Sequence, residues 1–250
     1  IKSSFGDNED LKRRMRLSYD YMNKQIDENC FENILKINIL ELNGNDYYVS
    51  EELEGDLTKA PKFNNNQMKS LLYQIIKGLQ CLHKVGIIHG DIKPMNIFYK
   101  FNQKNKLIVK IADFDCIGIR NVGMPNYMKS PCAFTPPYAL FTVPDSNYLH
   151  KFQNIEDIYS LGLTMLLIFN NKQLVDKLVN FNEQVKKQFI ANPKFFNINS
   201  KRIQHDKMLK GSKIILPPEL NGFEQVIREM LKTKLVGRKN MNQILNMPII

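Results

Sequence analysis

Four polar residues in two short segments have the types and spacing that phosphate and magnesium chemistry requires. The first segment carries Asp91, Lys93 and Asn96, and the second begins at Asp113. Carboxylate and amide oxygens are the ligands that hard cations such as Mg²⁺ prefer, and a lysine supplies positive charge for phosphate oxygens. Helix-cap or turn carboxylates are the alternative interpretation of the two aspartates. The spacing and the flanking residues favour the chemical interpretation.

The elements around these segments are expected to place them on one loop and at one strand end. A helix is predicted over residues 66–84, because its apolar residues recur at positions i, i+3, i+4 and i+7. A hairpin is predicted from the apolar runs 97–99 and 107–112. The first polar segment lies between the helix and the hairpin, and Asp113 directly follows the second strand. The candidate site is therefore expected on this loop and at this strand end.

The two segments resemble motifs of the eukaryotic-type protein kinase family, in its serine/threonine branch. The stretch H-G-D-I-K-P-M-N that starts at His89 is similar to the catalytic loop H-x-D-x-K-x-x-N, and the D-F-D at Asp113 resembles the metal-binding D-F-G. The resemblance implies that Asp91 orients the substrate hydroxyl and accepts its proton. It also implies that Lys93 lies near the transferred phosphoryl group, and that Asn96 and Asp113 hold Mg²⁺.

Three later segments stand where the family has further motifs, in the family's order. Residues 130–137 resemble the end of the activation segment, and Ser130 is implied to contact the catalytic carboxylate. Asp157 belongs to a segment similar to the D-x-W-S-x-G of a buried central helix, and residues 237–241 resemble the closing arginine motif. Small-molecule kinases share only the loop and the metal carboxylate, so these segments disfavour that class.

The front of the chain is similar to the nucleotide-binding part of the family. Residues 46–57 resemble the last strand of the small lobe, the hinge and the start of the large lobe. Backbone groups of Glu51 and Leu53 would then contact the adenine of ATP, and Asp56 would face the ribose. Phe98 would lie under the adenine ring, where a flat apolar side chain suits a flat base. A plain edge hairpin is the alternative for this segment.

Ser50 and Lys2 complete the nucleotide positions that the resemblance implies. Ser50 would be the gatekeeper, and its small side chain would leave a cavity behind the adenine. Lys2 would be the strand lysine that contacts the α and β phosphates. The helix predicted over residues 11–26 offers no glutamate to pair with Lys2, and Asp20 is the acid nearest to the expected position.

Four departures from the family pattern bear on activity. Gly90 replaces an arginine that reads a phosphate on the activation segment in many members, so control by such phosphorylation is not expected. Asp115 replaces the glycine of D-F-G, where its carboxylate could bind or repel a metal. Pro137 replaces the acid that pairs with the late arginine, here Arg238. No glycine-rich phosphate loop precedes Lys2, because the sequence starts in the strand that should follow it.

We predict an α+β, bilobal protein-kinase-like fold with ATP and Mg²⁺ in its cleft. Residues 1–53 are predicted to form a small lobe that lacks its first strands, and residues 54–250 a larger, mainly helical lobe. The first residue is Ile, which favours a piece of a longer protein; a parent protein without a phosphate loop is the alternative. The predicted reaction transfers the γ-phosphoryl group of ATP to Ser or Thr hydroxyls of proteins. A pseudokinase or scaffold with little transfer is the main rival.

Composition limits the location and the partners. The 250 residues contain no apolar run of 18 and no N-terminal signal pattern, so we predict no membrane span and a cytoplasmic or nuclear location. The net charge of +10 is concentrated late in the chain, and the basic stretch 186–213 is either a solvated face or a surface for acidic peptides. Nucleic acid is not expected as a partner, and the oligomeric state is left open.

The cysteines are predicted to be packing residues. Four of them are scattered along the sequence without a C-x-x-C pair, which argues against a zinc site or a disulfide framework and suits a reducing compartment. They are Cys30, Cys81, Cys116 and Cys132.

Overall fold

The described part of the chain separates into two compact units. The computed structural model describes residues 2–3, 9–115, 117–120, 154–192, 197–233 and 239–247. The first unit takes its described residues from 1–90 and 94–133, and the second takes them from 91–93 and 134–250. The lobe boundary at residues 53 and 54 stays a prediction.

Three antiparallel strands form a sheet at the front of the first unit. They are β1 (Lys2–Ser3), β2 (Asn38–Leu42) and β3 (Asn45–Val49), in the order β1-β3-β2. Asn43 and Gly44 connect β2 to β3 with φ angles of 52° and 74°, the positive values that tight hairpin turns require. The apolar runs 34–42 and 47–53, with turn residues between them, predict this hairpin. The structure confirms it, with strands shorter than the two runs.

Helix α1 (Glu9–Gln25) confirms the predicted front helix. Its apolar face is buried, with Met15 and Met22 each 1% exposed. On its outer side, Arg16 forms ion pairs with Asp46 at 2.9 Å and Glu41 at 3.4 Å, which belong to the β2–β3 hairpin. Exposed ion pairs of this kind contribute little stability, so the buried face is what fixes α1.

Helix α2 (Asn65–Lys84) is the central helix of the first unit and begins at a capping box. The Asn64 side chain accepts from the Gln67 backbone, and the Gln67 side chain accepts from the Asn64 backbone, so two otherwise unpaired N–H groups are satisfied. The predicted apolar stripe is buried along the helix. At Gly78 the helix comes so close to its neighbours that an added Cβ would lie 2.7 Å from the Asn33 carbonyl oxygen and 2.9 Å from Ile111 Cδ1.

Short strands packed near α2 carry the segments singled out in the sequence. Strands β4 (Gly55–Asp56), β6 (Ile97–Phe101) and β7 (Leu107–Ile111) form an antiparallel sheet in the order β4-β6-β7, which confirms the second predicted hairpin. Strands β5 (Ile87–Ile88) and β8 (Gly118–Ile119) form a separate antiparallel pair. The first unit therefore contains the hinge-like segment (residues 51–53), residues 94–96 of the loop after β5 and the end of β7.

The described residues of the second unit are mainly helical. The sequence pattern predicts helices over residues 155–169, 174–189, 220–231 and 241–245. They are confirmed as α3 (Asn154–Ile168), α4 (Lys172–Ala191), α6 (Phe223–Leu231) and α7 (Met241–Leu245). Helix α5 (Ile198–Lys210) was not predicted. In α3 a tyrosine, Tyr159, stands where the family motif has tryptophan, and its buried hydroxyl lies 2.8 Å from His205 Nε2 and 3.0 Å from Asn182 Nδ2.

A disulfide joins Cys30 and Cys81, so the prediction that all cysteines are packing residues is wrong for these two. Cys30 lies in a 3₁₀ turn, Glu28–Glu32, and Cys81 lies in α2. The two cysteines are 51 residues apart in the sequence, and only the packing of the turn against α2 brings their sulfurs together. The sequence alone therefore did not predict the pair. Cys116 and Cys132 lie outside the described residues.

Reducing this disulfide is expected to lower the free energy of unfolding by about 2–4 kcal/mol, because the bond restricts the unfolded chain over a long loop. Denaturant unfolding of the oxidised and the reduced protein measures the difference. A Cys30→Ser variant should match the reduced protein and should not respond to the reductant. Equal stability of oxidised and reduced protein would contradict the prediction.

The fold class predicted from the sequence is confirmed. A smaller strand-containing part at the front is followed by a larger, mostly helical part, as in the protein kinase fold. None of the helices in the described ranges combines the length and the apolar composition that a bilayer span requires.

Candidate active site

The loop after β5 is hydrogen-bonded to the end of β7 through the backbone of Ala112. His89 is 1% exposed, and its Nε2 lies 2.9 Å from the Ala112 carbonyl oxygen. The Ala112 N–H donates to the carbonyl oxygen of Asn96 at 2.9 Å. The fold therefore brings His89 and Asn96 to the backbone of Ala112, although they precede it by 23 and 16 residues in the sequence.

The same bonds bring together the two predicted metal ligands, Asn96 and Asp113. In the β6–β7 hairpin Ile97 lies opposite Ile111, so the residues just outside this pair, Asn96 and Ala112, are adjacent. Asp113 is the next residue after Ala112. The register of the hairpin thus places an amide oxygen and a carboxylate at one end of the sheet.

Asp113 has an uncommon backbone conformation and an exposed side chain. Its φ is 68°, in the left-handed region that aspartate tolerates better than most residues. Asn96, by contrast, is 4% exposed. Such strained positions cluster at ligand sites. The arrangement offers one fixed, buried oxygen ligand and one accessible carboxylate.

These donors fit Mg²⁺ held together with a phosphate ligand. Mg²⁺ is usually bound in such sites by one or two protein oxygens, with waters and phosphate oxygens completing the octahedron. Within the described residues, no group of three or more His, Cys, Asp or Glu side chains could hold a metal ion by itself. Asn96 and Asp113 are therefore suited to a magnesium–nucleotide complex rather than to a metal held by protein groups alone.

Asp91 and Lys93 form an ion pair in the segment of the loop that belongs to the second unit. Lys93 Nζ lies 2.7 Å from Asp91 Oδ2, and both side chains are 19% exposed. The partly buried ammonium stabilises the charged carboxylate and fixes its orientation, while enough surface stays accessible for a ligand. Gly90, just before the pair, has a φ of 80°, a conformation that favours glycine over the arginine found in many kinases.

Two predicted nucleotide residues, Asp56 and Phe98, are brought together by the sheet. They are paired residues of the antiparallel strands β4 and β6. Asp56 Oδ1 accepts a hydrogen bond from the Thr58 N–H at 2.8 Å and another from the Thr58 hydroxyl. The hydroxyl hydrogen bond is the main cause that lowers the pKa of Asp56. This carboxylate is therefore ionised and accepting, as contact with a ribose hydroxyl requires.

Glu51 is held by two lysines of the same sheet. Its Oε1 lies 2.8 Å from Lys110 Nζ, and its Oε2 accepts from Lys100. Burial by itself would raise the pKa of Glu51, but the hydrogen bonds from Lys100 and Lys110 outweigh it and the pKa is lowered. The side chain thus anchors the hinge-like segment to β6 and β7. Leu53, the other predicted adenine contact, is partly buried two residues further on.

The structure describes only some of the remaining positions that the sequence predicted to be functional. Lys2 lies in β1 with its Cα opposite Tyr48, and its side chain is outside the described part of the structure. Ser130, Pro137 and Arg238 also lie outside the described residues. Asp157 is 1% exposed in α3. Their functional roles stay predictions.

Two residues of α1 contact the candidate site and were missed by the sequence motifs. Tyr19 Oη donates to Asp115 Oδ1 at 2.7 Å, and Arg14 Nη2 donates to the Ile117 carbonyl oxygen at 2.8 Å. Burial raises the pKa of the Tyr19 hydroxyl, and the charge of Asp115 raises it further, so the tyrosine remains a donor. Neither residue belongs to a family motif, and their partners are far away in sequence, so no sequence signal marked them.

The class of protein follows from this geometry together with a comparison of families. The model of the protein kinase domain matches residues 23–250. The chain therefore belongs to the protein kinase family, which confirms the family predicted from the sequence.

Individual relatives are mitogen-activated protein kinases. The Caenorhabditis elegans protein "Mitogen-activated protein kinase pmk-2" is 30% identical over 146 residues, which is 52% of this chain and 33% of that protein. The Xenopus laevis protein "Mitogen-activated protein kinase 14" is 31% identical over 134 residues, covering 52% and 34% of the two chains. "Mitogen-activated protein kinase pmk-1" of Caenorhabditis elegans is 31% identical over 157 residues, covering 58% and 38%. The matches span about a third of the length of these relatives.

Proposed function

We propose that this protein transfers the γ-phosphoryl group of ATP to Ser or Thr hydroxyls of protein substrates. The observation that carries the proposal is the pair of hydrogen bonds at Ala112, which hold the catalytic-loop histidine and Asn96 beside the residue that precedes Asp113. Membership of the protein kinase family supports phosphotransfer in general. The serine/threonine specificity rests on Lys93, which marks that branch of the family.

In the proposed reaction, each polar residue has one task. Asp91 accepts a hydrogen bond from the substrate hydroxyl and takes up its proton as the oxygen bonds to the γ phosphorus, while the bond from phosphorus to the β,γ-bridging oxygen breaks. Lys93 keeps Asp91 oriented and supplies positive charge for the transferred group. Asn96 and Asp113 would hold Mg²⁺, which neutralises charge on the phosphate oxygens when it is bound.

The adenosine part of ATP is proposed to lie along the hinge-like segment. Backbone groups of Glu51 and Leu53 would bind adenine, Phe98 would pack under the ring, and Asp56 would bind the ribose. The Glu51 ion pairs fix this backbone to β6 and β7, which keeps its hydrogen-bonding groups in place before nucleotide arrives. Lys2 is proposed to contact the phosphates.

The partners and the location remain proposals of the same kind. The substrates are proteins, and the basic stretch 186–213 favours acidic sequences among them. An excess of salt should then weaken substrate binding, because it screens exposed charges. A cytoplasmic or nuclear location stays a proposal, and the Cys30–Cys81 disulfide counts against the reducing compartment that the cysteine pattern predicted.

A pseudokinase that binds nucleotide or partner proteins is the second candidate function. It is favoured by Asp115 in place of glycine and by the lack of a glutamate near Asp20 in α1, since Glu9 lies in the first turn of the helix. Both candidates predict a stable kinase fold, so only nucleotide chemistry separates them.

A nucleotide-induced thermal shift, followed by a transfer assay, tests the proposal. Mg²⁺ and ATP together should raise the melting temperature of the whole protein more than ATP alone, and labelled phosphate should appear on a generic Ser/Thr substrate. A Mg²⁺-dependent shift without transfer would favour the pseudokinase. Absence of both would contradict nucleotide binding at this site.

The small gatekeeper proposed at Ser50 predicts tolerance of enlarged nucleotides. Ser50 is exposed, and its hydroxyl donates to the Glu51 carbonyl oxygen at 3.0 Å. An ATP analogue with a benzyl group on the adenine amine should compete well with ATP, and Ser50→Phe should weaken it by about ten-fold or more while sparing ATP. Competition against labelled ATP measures both. Equal binding of the analogue by both proteins would show that Ser50 does not border the adenine.

A further inference from the structure

Helix α1 is fastened to the chain immediately after Asp113 by two buried donors. Tyr19, which is 5% exposed, donates to Asp115 at 2.7 Å. Arg14, which is 7% exposed, donates to the Ile117 carbonyl oxygen at 2.8 Å. Hydrogen bonds with a charged partner are stronger than neutral ones, and they are screened little when buried. The position of α1 and that of the D-F-D segment are therefore linked.

Aromatic packing strengthens the link. The Phe114 ring lies 6.5 Å from that of Tyr19, in an edge-to-face arrangement, and 5.1 Å from that of His89. Phe114 itself is fully buried. His89 also contacts the Ala112 carbonyl oxygen. A movement of Tyr19 would therefore disturb Phe114 and, through it, the histidine of the catalytic loop.

The Tyr19–Asp115 bond gives a joint explanation for two departures from the family pattern. The helix lacks the expected glutamate, and the metal motif has a carboxylate where the family has glycine. In this chain the extra carboxylate accepts a hydrogen bond from the helix.

We propose that Tyr19 and Asp115 are a positioning pair that holds α1 against the metal-binding end of β7 and thereby fixes Asp113 for the phosphoryl-transfer step. The inference rests on the proposed kinase function. Neither residue touches the substrate; both act through the backbone of the D-F-D segment. Gly90 stands where many kinases have an arginine that binds a phosphate on the activation segment. The Tyr19–Asp115 bond would hold α1 in place without such a phosphate.

The kinetic test separates the transfer step from nucleotide binding. Tyr19→Phe and Asp115→Ala should each lower kcat about ten-fold, with a much smaller change in the KM for ATP, because adenine is held by the hinge-like segment. The double variant should be no worse than either single one, since both remove the same bond. Asp115→Asn keeps an acceptor for Tyr19 and should lose clearly less than Asp115→Ala.

Tyr21→Phe is the matched control. The Tyr21 hydroxyl lies on the same helix and donates to the Val85 carbonyl oxygen at 3.3 Å, away from Asp115. This variant should keep wild-type kcat. A Tyr19→Phe protein with wild-type kcat, or losses in the single variants that multiply in the double, would overturn the inference.

Hydrogen exchange gives a second measurement that does not need activity. Backbone amides of α1 should exchange faster in Tyr19→Phe than in Tyr21→Phe. Faster exchange with an inactive wild-type protein would mean that the pair exists but that the proposed kinase function fails. Unchanged exchange together with an active wild-type protein would reject the pair and keep the kinase function.

Discussion

Replacing Asp91 by asparagine should lower kcat by about 10²- to 10⁴-fold and leave nucleotide binding nearly unchanged. The substitution keeps the size of the side chain but removes the group that accepts the substrate proton, and general-base catalysis by one positioned side chain is worth this range. It also breaks the 2.7 Å ion pair with Lys93, which adds to the loss. Initial rates at saturating ATP, with nucleotide affinity measured separately, give the two quantities.

Asp176→Asn is a suitable control for this variant. Asp176 is exposed on α4 of the same unit and is far from the loop in sequence. The variant therefore measures the effect of losing a carboxylate that has no proposed role in the reaction. Its rates should equal those of the wild-type protein. If Asp91→Asn were as active as this control, Asp91 would not be the catalytic carboxylate.

Replacing Asp113 by asparagine should lower kcat/KM by about 10²- to 10³-fold and shift the dependence on Mg²⁺ to higher concentrations. The cause is the lost charge on a metal ligand, and losing one group that stabilises transition-state charge typically costs this much. Asparagine is preferable to alanine, because it also tolerates the φ of 68° at this position and so avoids added backbone strain. Rates measured over a series of Mg²⁺ concentrations test the prediction.

The matched control is Asp10→Asn in the first turn of α1, where the side chain is exposed. It should leave both the rate and the Mg²⁺ dependence unaltered. An unchanged Mg²⁺ dependence in Asp113→Asn would contradict the metal role, whatever happens to the rate.

Local sequence patterns predicted most of the regular elements, because their causes are local. The stripe on α2 and the turn at Asn43 and Gly44 depend on residues within a few positions of one another. Helix α5 escaped prediction because its apolar residues do not recur with a helical period, and Ile203 is 51% exposed. What starts that helix is the cap at Asn197, whose side chain accepts from the Ser200 N–H.

In the candidate site, too, the residues of local motifs were predicted and the contacts between distant residues were not. Asn96 and Asp113 could be predicted because each belongs to a contiguous motif, and the pattern of apolar residues predicted the hairpin between them. Tyr19 and Asp115 are 96 residues apart, so their bond depends on how α1 packs. The Cys30–Cys81 disulfide was missed for the same reason. In both cases the sequence contains the reactive groups but not the tertiary contact that pairs them.

The most direct test of the central proposal is the identity of the amino acid that receives phosphate. The whole protein is incubated with Mg²⁺, γ-labelled ATP and a generic protein substrate, and the labelled residues are identified after hydrolysis. The proposed function predicts phosphoserine or phosphothreonine in the wild-type reaction and almost none with Asp91→Asn. Equal labelling by the two proteins, or no labelling by a wild-type protein that binds ATP, would contradict it.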